Sequence, residues 1–210
     1  DHLPSGFAGN FFFQPVMKEI TKMTRSLREA RTAANQEARL RVEKLDSPWT
    51  SERLKAFTQG ILKGKQIFVV SNREPYIHTK QNGKTTYYQP ASGMVTAIEP
   101  IMRACGGLWI AHGAGNADKE TVDKNNTIAV PPDDPKYSLR RVWLTAEEEK
   151  GYYNGFANEG IWPLCHMAHT RPIFRKEDWE EYKKVNGKFA EVLLKEIKSV
   201  SKPIILIQDY

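Results

Sequence analysis

The order of apolar and polar positions divides the chain near residue 64. Before that point, apolar side chains recur at steps of three and four residues, which is the spacing of one face of an α-helix. The positions that form this stripe are Val16, Ile20, Met23, Leu27, Ala30 and Ala34. The stripe stops after about five turns, short of the three or four sustained heptads of a coiled coil, so the pattern predicts an amphipathic helix.

A second helix is predicted after Ser47 and Pro48, with Leu54, Phe57 and Ile61 on one face and Gly60 or Gly64 at its end. We expect residues 1–64 to form a helical extension that packs on the main domain or on a second copy of the chain, giving a homo-oligomer. The alternative is a basic amphipathic segment for nucleic acid or membrane, which is disfavoured because glutamates interrupt the basic face.

After residue 64, apolar strands alternate with amphipathic helices. The run QIFVVS at 66–71 predicts a buried strand, and Asn82-Gly83 between YIHT and TTYY predicts a β-hairpin. A helix should follow Ser92-Gly93. Further strands are predicted at LWIAH, TIAVPP, SLRRVWL and PIILIQDY. This alternation predicts an α/β fold with a mainly parallel sheet, covered by helices on both faces.

Two more helices complete this pattern. Thr145 and Glu148 fit a capping box at the start of the first one. The second is long, and its predicted buried face consists of Trp179, Tyr182, Val185, Phe189, Val192 and Leu193.

Composition and charge limit the classes of function. The chain of 210 residues is 40% hydrophobic and 27% charged, with a net charge of +6. Residues 1–64 hold 11 Lys and Arg against 7 Asp and Glu, and the remaining residues hold 20 against 18. The main domain is therefore nearly neutral, so we expect neither a nucleic-acid nor a membrane partner. With two cysteines and no apolar run of membrane-spanning length, we expect a cytoplasmic protein.

Arg73 and Asp209 each follow an apolar strand. In parallel sheets, ligands bind at the carboxyl ends of the strands, at a topological switch point. There, the planar fork of an arginine suits phosphate or carboxylate, and an aspartate can accept hydrogen bonds from sugar hydroxyls. The alternative is structural: Arg73 could instead cap a helix or form an ion pair with Glu74 or Asp209.

Other chemistries lack their sequence signals. No G-x-G-x-x-G follows the first strand, which disfavours a dinucleotide-binding protein. His166 and His169 lie near Cys165, but no further ligand completes a metal set, so we expect no metal. Cys165 and His166 are sequence neighbours, which rarely face each other as a nucleophile and its base.

Six motifs occur in an order that resembles the N-terminal half of the trehalose-6-phosphate synthase family. They are VVSNREPY, ASGMVTAIEP, GGLWIAHGAG, GYYNGFANEGIWPLCH, WEEYKKVNGKFAEVL and ILIQDY. The resemblance covers residues 67–210. It implies the Rossmann-like N-terminal domain of a GT-B retaining glycosyltransferase, with a donor-binding domain following it.

The resemblance also implies roles for five residues. Arg73 binds the phosphate of the acceptor, and Tyr153 and Trp162 help to hold that acceptor. Gly93 lies where the backbone approaches the diphosphate of the donor, and Asp209 contacts sugar hydroxyls at the reacting carbon. The structural alternatives are a plain turn glycine at Gly93 and core aromatic residues at Tyr153 and Trp162.

One departure concerns the acceptor. Close family members have Trp-Ser after the GGLW strand, whereas this chain has His112-Gly113. We therefore expect His112 to reshape the acceptor pocket, although a lone histidine is more often structural.

The expected function is transfer of glucose from a nucleotide sugar, UDP-glucose as first choice, to glucose 6-phosphate, giving trehalose 6-phosphate. No cofactor is expected. We expect residues 65–210 to be the acceptor-side domain of a longer enzyme, and the 210-residue chain to be inactive by itself. The alternatives are a related transferase with another acceptor, such as glycerol 3-phosphate, a pseudo-glycosyltransferase, or a non-catalytic sugar-phosphate-binding module.

Overall fold

The structure is a computed structural model, and it describes residues 50–208 together with Glu19, Lys22, Met23 and Ser26. These four isolated residues have helical conformation. The other members of the predicted N-terminal stripe, and Ser47 and Pro48, lie outside the described residues. The chain divides into two compact units, Asp1–Thr50 and Ser51–Tyr210, and the second unit contains the sheet and its helices.

In the described part of the chain, the strands are β1 (Ile67–Ser71), β2 (Ile77–Gln81), β3 (Lys84–Tyr88), β4 (Leu108–His112), β5 (Thr127–Val130), β6 (Tyr137–Val142) and β7 (Ile204–Ile207). The helices are α1 (Ser51–Leu62), α2 (Gly93–Cys105), α3 (Asp118–Thr121), α4 (Ala146–Glu149), α5 (Trp162–Cys165) and α6 (Lys176–Ile197). A π-helix, π1 (Lys150–Ile161), joins α4 to α5 without a break.

The main sheet has the strand order β5-β6-β4-β1-β7. β6, β4, β1 and β7 run parallel, and β5 pairs antiparallel to β6 at the edge. This confirms the mainly parallel sheet. From β1 the chain proceeds to β4 and β6 on one side and then crosses to β7 on the other side. The topological switch point therefore lies between β1 and β7.

Helices cover both faces of this sheet, as predicted. Ile67 and Val69 of β1 point to a core that includes Val95 and Met102 of α2. Phe68 and Val70 point to the opposite core, with residues of π1 and α6 such as Phe189. Alternating side chains of one strand thus serve two cores, which explains why β1 is apolar throughout.

Two predicted helix faces need correction. In α1, which packs on α2, Phe57 and Ile61 are 53% and 60% exposed. Leu54 is half-buried as predicted, but the other half-buried positions are Thr58 and Leu62, so the helix is rotated from the predicted face. In α6, Val185 and Phe189 are buried as predicted, whereas Trp179 is 41% exposed near the start of the helix.

The hairpin of β2 and β3 forms a separate two-stranded sheet. Its turn consists of Asn82 and Gly83, with φ angles of 50° and 76°. Both central residues have positive φ, as a type I′ turn requires, and glycine and asparagine adopt such angles most readily. The predicted hairpin is confirmed.

Among the described residues, none of the helices is both long and apolar enough to span a bilayer.

Candidate substrate site at the carboxyl edge of the sheet

Arg73 lies just beyond the carboxyl end of β1, close to the switch point. Its Nε donates a hydrogen bond to the hydroxyl of Tyr153, at 3.2 Å. Behind it, the Ser71 hydroxyl donates to the Arg73 carbonyl at 2.8 Å and accepts from the Trp109 indole at 2.9 Å. These contacts fix the turn that carries the guanidinium.

Arg73 and Tyr153 form part of the wall of a cavity of about 560 Å³, here called the larger cavity. Its lining residues come from the end of β1, the start of α2, π1 and the segment after it. They are Arg73, Ser92, Gly93, Met94, Tyr153, Asn158, Trp162 and His166. Among the described residues, no carboxylate lines this cavity.

The start of α2 contributes backbone donors to the larger cavity. Ser92 is the N-cap residue, and its hydroxyl accepts a hydrogen bond from the backbone N–H of Val95 at 3.4 Å. Gly93 begins the helix, and its missing side chain lets a ligand approach the backbone. The first N–H groups of a helix lack intrahelical acceptors and carry partial positive charge, so they favour an anion here.

Aromatic side chains form the opposite wall. Trp162 is 43% exposed and is not a core residue, whereas Tyr153 is half-buried and also packs against the core around Phe68 and Phe189. The Trp162 ring stacks on the His166 imidazole with centroids 4.5 Å apart. His166 Nδ1 lies 3.0 Å from the Trp162 carbonyl, which can only accept, so this nitrogen carries the proton.

A second pocket, of about 190 Å³, shares Arg73 and Tyr153 with the larger cavity. This smaller pocket is further lined by Asn72, Glu74, Ile77, Pro90, His112, Ala114 and Glu149. The Arg73–Tyr153 hydrogen bond thus lies on the wall common to both spaces. Unlike the larger cavity, the smaller pocket has two glutamates in its lining.

His112 ends β4 and is 5% exposed. Its Nδ1 lies 3.1 Å from the Val142 carbonyl, so Nδ1 donates to that oxygen. The other ring nitrogen, Nε2, lies 3.9 Å from a Glu149 carboxylate oxygen. Nε2 is therefore the nitrogen available to a ligand in the smaller pocket.

Beneath the smaller pocket lies a buried ionic network around Arg141, whose side chain is fully shielded from solvent. Its Nε binds Glu74 at 2.8 Å, and one terminal nitrogen binds Asp118 at 2.8 Å. The same terminal nitrogen lies 2.8 Å from His78 Nδ1. Glu74 also accepts from the backbone N–H of Ala114 at 3.0 Å, which ties the Arg73 turn to the loop after β4.

Two carboxylates share one guanidinium in this network, and their pKa values move apart. Burial raises the pKa of Glu74 to about 8, helped by its hydrogen bond with Asp118 and opposed by Arg141. Burial also disfavours ionised Asp118, but hydrogen bonds from His78 and Glu74, with the charge of Arg141, lower its pKa to about 2. The ionised Asp118 therefore balances the charge of Arg141, and Glu74 holds a proton near neutral pH.

The crevice at the switch point itself is small, about 30 Å³, and includes Asn72, Asn186 and Gln208. The Gln208 backbone N–H donates to the Val70 carbonyl at 2.8 Å, so the residue that follows β7 still lies beside β1. Asp209, the next residue, lies outside the described residues. Over the part of the chain that the structure describes, no group of three His, Cys, Asp or Glu side chains could hold a metal ion.

The model of glycosyltransferase family 20 matches residues 65–210. The chain belongs to this family. The trehalose-6-phosphate synthase of Mycolicibacterium vanbaalenii is 32% identical over 148 residues, which is 70% of this chain and 29% of that protein. That of Mycobacterium avium is 34% identical over 143 residues, or 68% and 28%. The chain thus spans under a third of the length of these relatives.

A solved structure of a trehalose-6-phosphate synthase has the same fold. It aligns with a TM-score of 0.50 and 24% identity, over 70% of this chain and 29% of that one. The family 20 assignment confirms the resemblance found in the six motifs, and the structural match agrees with the predicted N-terminal domain of a GT-B enzyme.

The structure brings four of the predicted site residues to one cavity: Arg73, Gly93, Tyr153 and Trp162. It puts His112 in the adjoining smaller pocket. Sequence reasoning missed Asn158 as a cavity residue, although it lies in the quoted YYNGFAN motif. It also missed the Arg141 network, because one of two adjacent arginines in a strand gives no local signal of its distant partners.

Proposed function

We propose that this chain is the acceptor-side part of a retaining glycosyltransferase that transfers glucose from a nucleotide sugar to glucose 6-phosphate, forming trehalose 6-phosphate. Membership of glycosyltransferase family 20 and the names of the relatives support this reaction. The reaction is proposed for the whole enzyme. This chain covers less than a third of the length of the relatives.

The observation that carries the proposal is the larger cavity. The Arg73 side chain, the amino end of α2, and the side chains of Tyr153 and Trp162 line one space, and none of its described lining residues is a carboxylate. Such a set of donors suits phosphate oxygens, and the aromatic faces suit a sugar ring. We assign the acceptor phosphate to Arg73 and Tyr153, and a sugar contact to Trp162.

The donor has its place at the start of α2 in this proposal. Gly93 allows the diphosphate of a nucleotide sugar to approach the helix N-terminus, where free N–H groups point outward. UDP-glucose is the first candidate donor. Asp209, beyond β7, is assigned to sugar hydroxyls near the reacting carbon, by the family resemblance alone.

His112 is assigned to the acceptor as well. Its Nε2 borders the smaller pocket, where it can accept a hydrogen bond from a hydroxyl or, when protonated, donate one. Because family members carry tryptophan here, a different sugar-phosphate acceptor, such as glycerol 3-phosphate, is the second candidate.

The proposal is tested by calorimetric titration of the 210-residue chain with glucose 6-phosphate, glycerol 3-phosphate and glucose. We expect weak binding of glucose 6-phosphate, weaker binding of glycerol 3-phosphate, and still weaker binding of glucose, which lacks the phosphate. With UDP-glucose added, we expect no transfer. Equal affinity for glucose and glucose 6-phosphate would contradict the phosphate site, and transfer by the pure chain would contradict its assignment as one part of the enzyme.

We also propose that residues 1–64 are a helical extension that supports packing or self-association, and that the protein is cytoplasmic. The two cysteines, Cys105 and Cys165, are unpaired, which suits a reducing compartment.

Paired deletions test the extension. Removal of residues 1–64 should lower the melting temperature more than removal of 1–50, because only the longer deletion takes α1 from α2. Equal melting temperatures for both would contradict that role of α1.

A further inference from the structure

The π-helix π1 presents two different faces. A π-helix forms its hydrogen bonds between residues i and i+5, so residues four to five positions apart lie on the same side of the helix. Gly151, Gly155 and Gly160 are separated by four and five residues and thus share one face. In an α-helix of about 3.6 residues per turn, Gly151 and Gly160 would be about two and a half turns apart, on opposite sides.

This glycine-bearing face lies directly against α6 and the segment before it. A Cβ atom at Gly151 would lie 2.8 Å from Cβ of Glu181, and one at Gly155 would lie 2.4 Å from the Asp178 carboxylate. At Gly160, it would lie 2.5 Å from the Phe174 ring. All three distances are shorter than van der Waals contact, so the packing leaves no room for side chains here.

The opposite face of π1 carries Tyr153 and Asn158, and both line the larger cavity. They are five residues apart, close to one π turn, so the π-helix brings them to the same side. In an α-helix, five residues are about 1.4 turns, and the two side chains would diverge. The described residues offer the Asn158 side chain no hydrogen-bond partner.

We propose that Asn158 is a further ligand-binding residue, whose amide N–H donates to a phosphate oxygen of a substrate bound in the larger cavity. Gly155 is its positioning residue, because the absence of a side chain there lets π1 approach Asp178 of α6 closely in the wide turn that brings Asn158 beside Tyr153. This inference rests on the proposed function. The phosphate belongs to either the sugar-phosphate acceptor or the nucleotide-sugar donor, which present the same chemistry.

Substitution of Asn158 by aspartate tests the contact. Asn158→Asp keeps the size of the side chain but replaces a donor with a carboxylate, which repels a phosphate. We expect calorimetry to show affinity for glucose 6-phosphate or for UDP-glucose at least tenfold lower. The ligand that is weakened identifies the source of the phosphate. Asn154→Asp is the matched control, because Asn154 is exposed on the same helix and does not line the cavity, so it should change affinity less than twofold.

Two negative results can be told apart. If the wild-type chain binds neither ligand, the proposed function fails and this inference with it. If the wild-type chain binds and Asn158→Asp binds equally well, the role of Asn158 is overturned while the proposed function stands.

Gly155→Ala tests the positioning role. We expect it to weaken the same ligand at least fivefold, while Gly187→Ala on α6, where a Cβ meets no atom within 4 Å, leaves affinity unchanged. If Gly155 acts through Asn158, the double variant Gly155→Ala/Asn158→Asp should bind no more weakly than Asn158→Asp alone. Wild-type affinity in Gly155→Ala, or two effects that multiply in the double variant, would overturn the positioning role.

Asp178→Ala removes the carboxylate that a new methyl group at Gly155 would meet. Should Gly155→Ala not fold, we expect Gly155→Ala/Asp178→Ala to fold and to bind as well as Asp178→Ala alone, as judged by circular dichroism and calorimetry. A double variant that folds but binds at least fivefold more weakly than Asp178→Ala would contradict the view that Gly155 acts by leaving room for the Asp178 carboxylate.

Discussion

The larger cavity and the smaller pocket share Arg73 and Tyr153, yet they differ in charge. The larger cavity is lined by donors, whereas Glu74 and Glu149 line the smaller pocket. An anionic group gains favourable contacts in the first space, whereas in the second it meets the Glu149 carboxylate beside a Glu74 that is protonated near neutral pH. Under the proposed function, this difference would orient a sugar phosphate, with the phosphate in the larger cavity and the sugar hydroxyls in the smaller pocket.

The two spaces also differ in what builds them. The larger cavity uses the ends of β1 and α2 and the face of π1, so its donors come from element termini and exposed side chains. The smaller pocket lies over the buried Arg141 network, so its shape depends on paired charges. Substitutions in the larger cavity should therefore affect binding most, whereas those under the smaller pocket should also affect stability.

Arg73 should give the largest effect, because it contributes to both spaces. Loss of a charge-assisted contact shielded from water costs about 2 kcal/mol or more, which corresponds to roughly 30-fold in affinity. We expect Arg73→Ala to weaken glucose 6-phosphate by at least this factor in calorimetry. Arg73→Lys keeps the charge but loses the planar fork, so it should recover only part of the affinity.

The control for Arg73 is Arg171→Ala, which removes an exposed arginine outside both spaces and should leave affinity unchanged. Donor affinity in the longer enzyme should hardly change in Arg73→Ala. If donor affinity collapsed while acceptor affinity held, Arg73 would belong to the donor and the phosphate assignment would be wrong.

Glu74 should give an intermediate effect, on stability as a function of pH. Its pKa rises from 4.5 to about 8 on folding. Its contribution to stability is therefore complete below about pH 4.5 and declines as pH rises through 8. We expect the melting temperature to fall between pH 5 and pH 8.5, and Glu74→Gln, which cannot titrate, to flatten that slope.

Glu149→Gln is the control for this pH experiment. Glu149 lines the same pocket but lies 42% exposed and outside the Arg141 network, so the variant should keep the wild-type slope. A slope as steep in Glu74→Gln as in the wild type would show that another group titrates. Folding lowers the pKa of Asp118 to about 2, so its contribution to stability is lost only as the pH falls below 4, outside this range.

His112 should give the smallest effect, and it separates the two spaces most directly. His112→Asn keeps a donor near the Val142 carbonyl but removes Nε2 from the smaller pocket. We expect a three- to tenfold loss of affinity for glucose 6-phosphate, with binding of inorganic phosphate unchanged, because phosphate belongs to the larger cavity. His169→Asn, at an exposed histidine, should change neither. If His112→Asn weakened binding of both ligands equally, the smaller pocket would take part in binding the phosphate, and the assignment of separate roles to the two spaces would be wrong.

The fold was predictable where signals are local. Asn82-Gly83 determines a tight turn within two residues, and Thr145 with Glu148 forms the expected capping box through reciprocal hydrogen bonds. Apolar strands separated by amphipathic helices led to the parallel sheet. Arg73 was singled out because the end of an apolar strand is visible in the sequence, whereas Gly93 was assigned from the family resemblance.

The remainder depends on contacts between distant segments. The π turn of π1 was missed because a helical pattern is usually tested against a period of 3.6 residues, and the close approach to α6 selects the wider turn. The exposure of Phe57 and Trp179 depends on which neighbour each helix face meets. The partners of Arg141 come from residues 74, 78 and 118, a combination that no sequence window contains.

The pairing of β1 with β7 has a consequence for the order of folding. The register joins Ile67 to Ile204 and Val70 to Ile207, across more than 130 residues of chain. Closing so long a loop costs entropy before the strand contacts compensate, so β7 should join the sheet late. The crevice beside Asn72 would then be the last part of the substrate edge to form. We expect substitutions in β7 to speed unfolding and leave the folding rate nearly unchanged, in contrast to substitutions between β1 and β4; slowed folding in β7 variants would reverse this order.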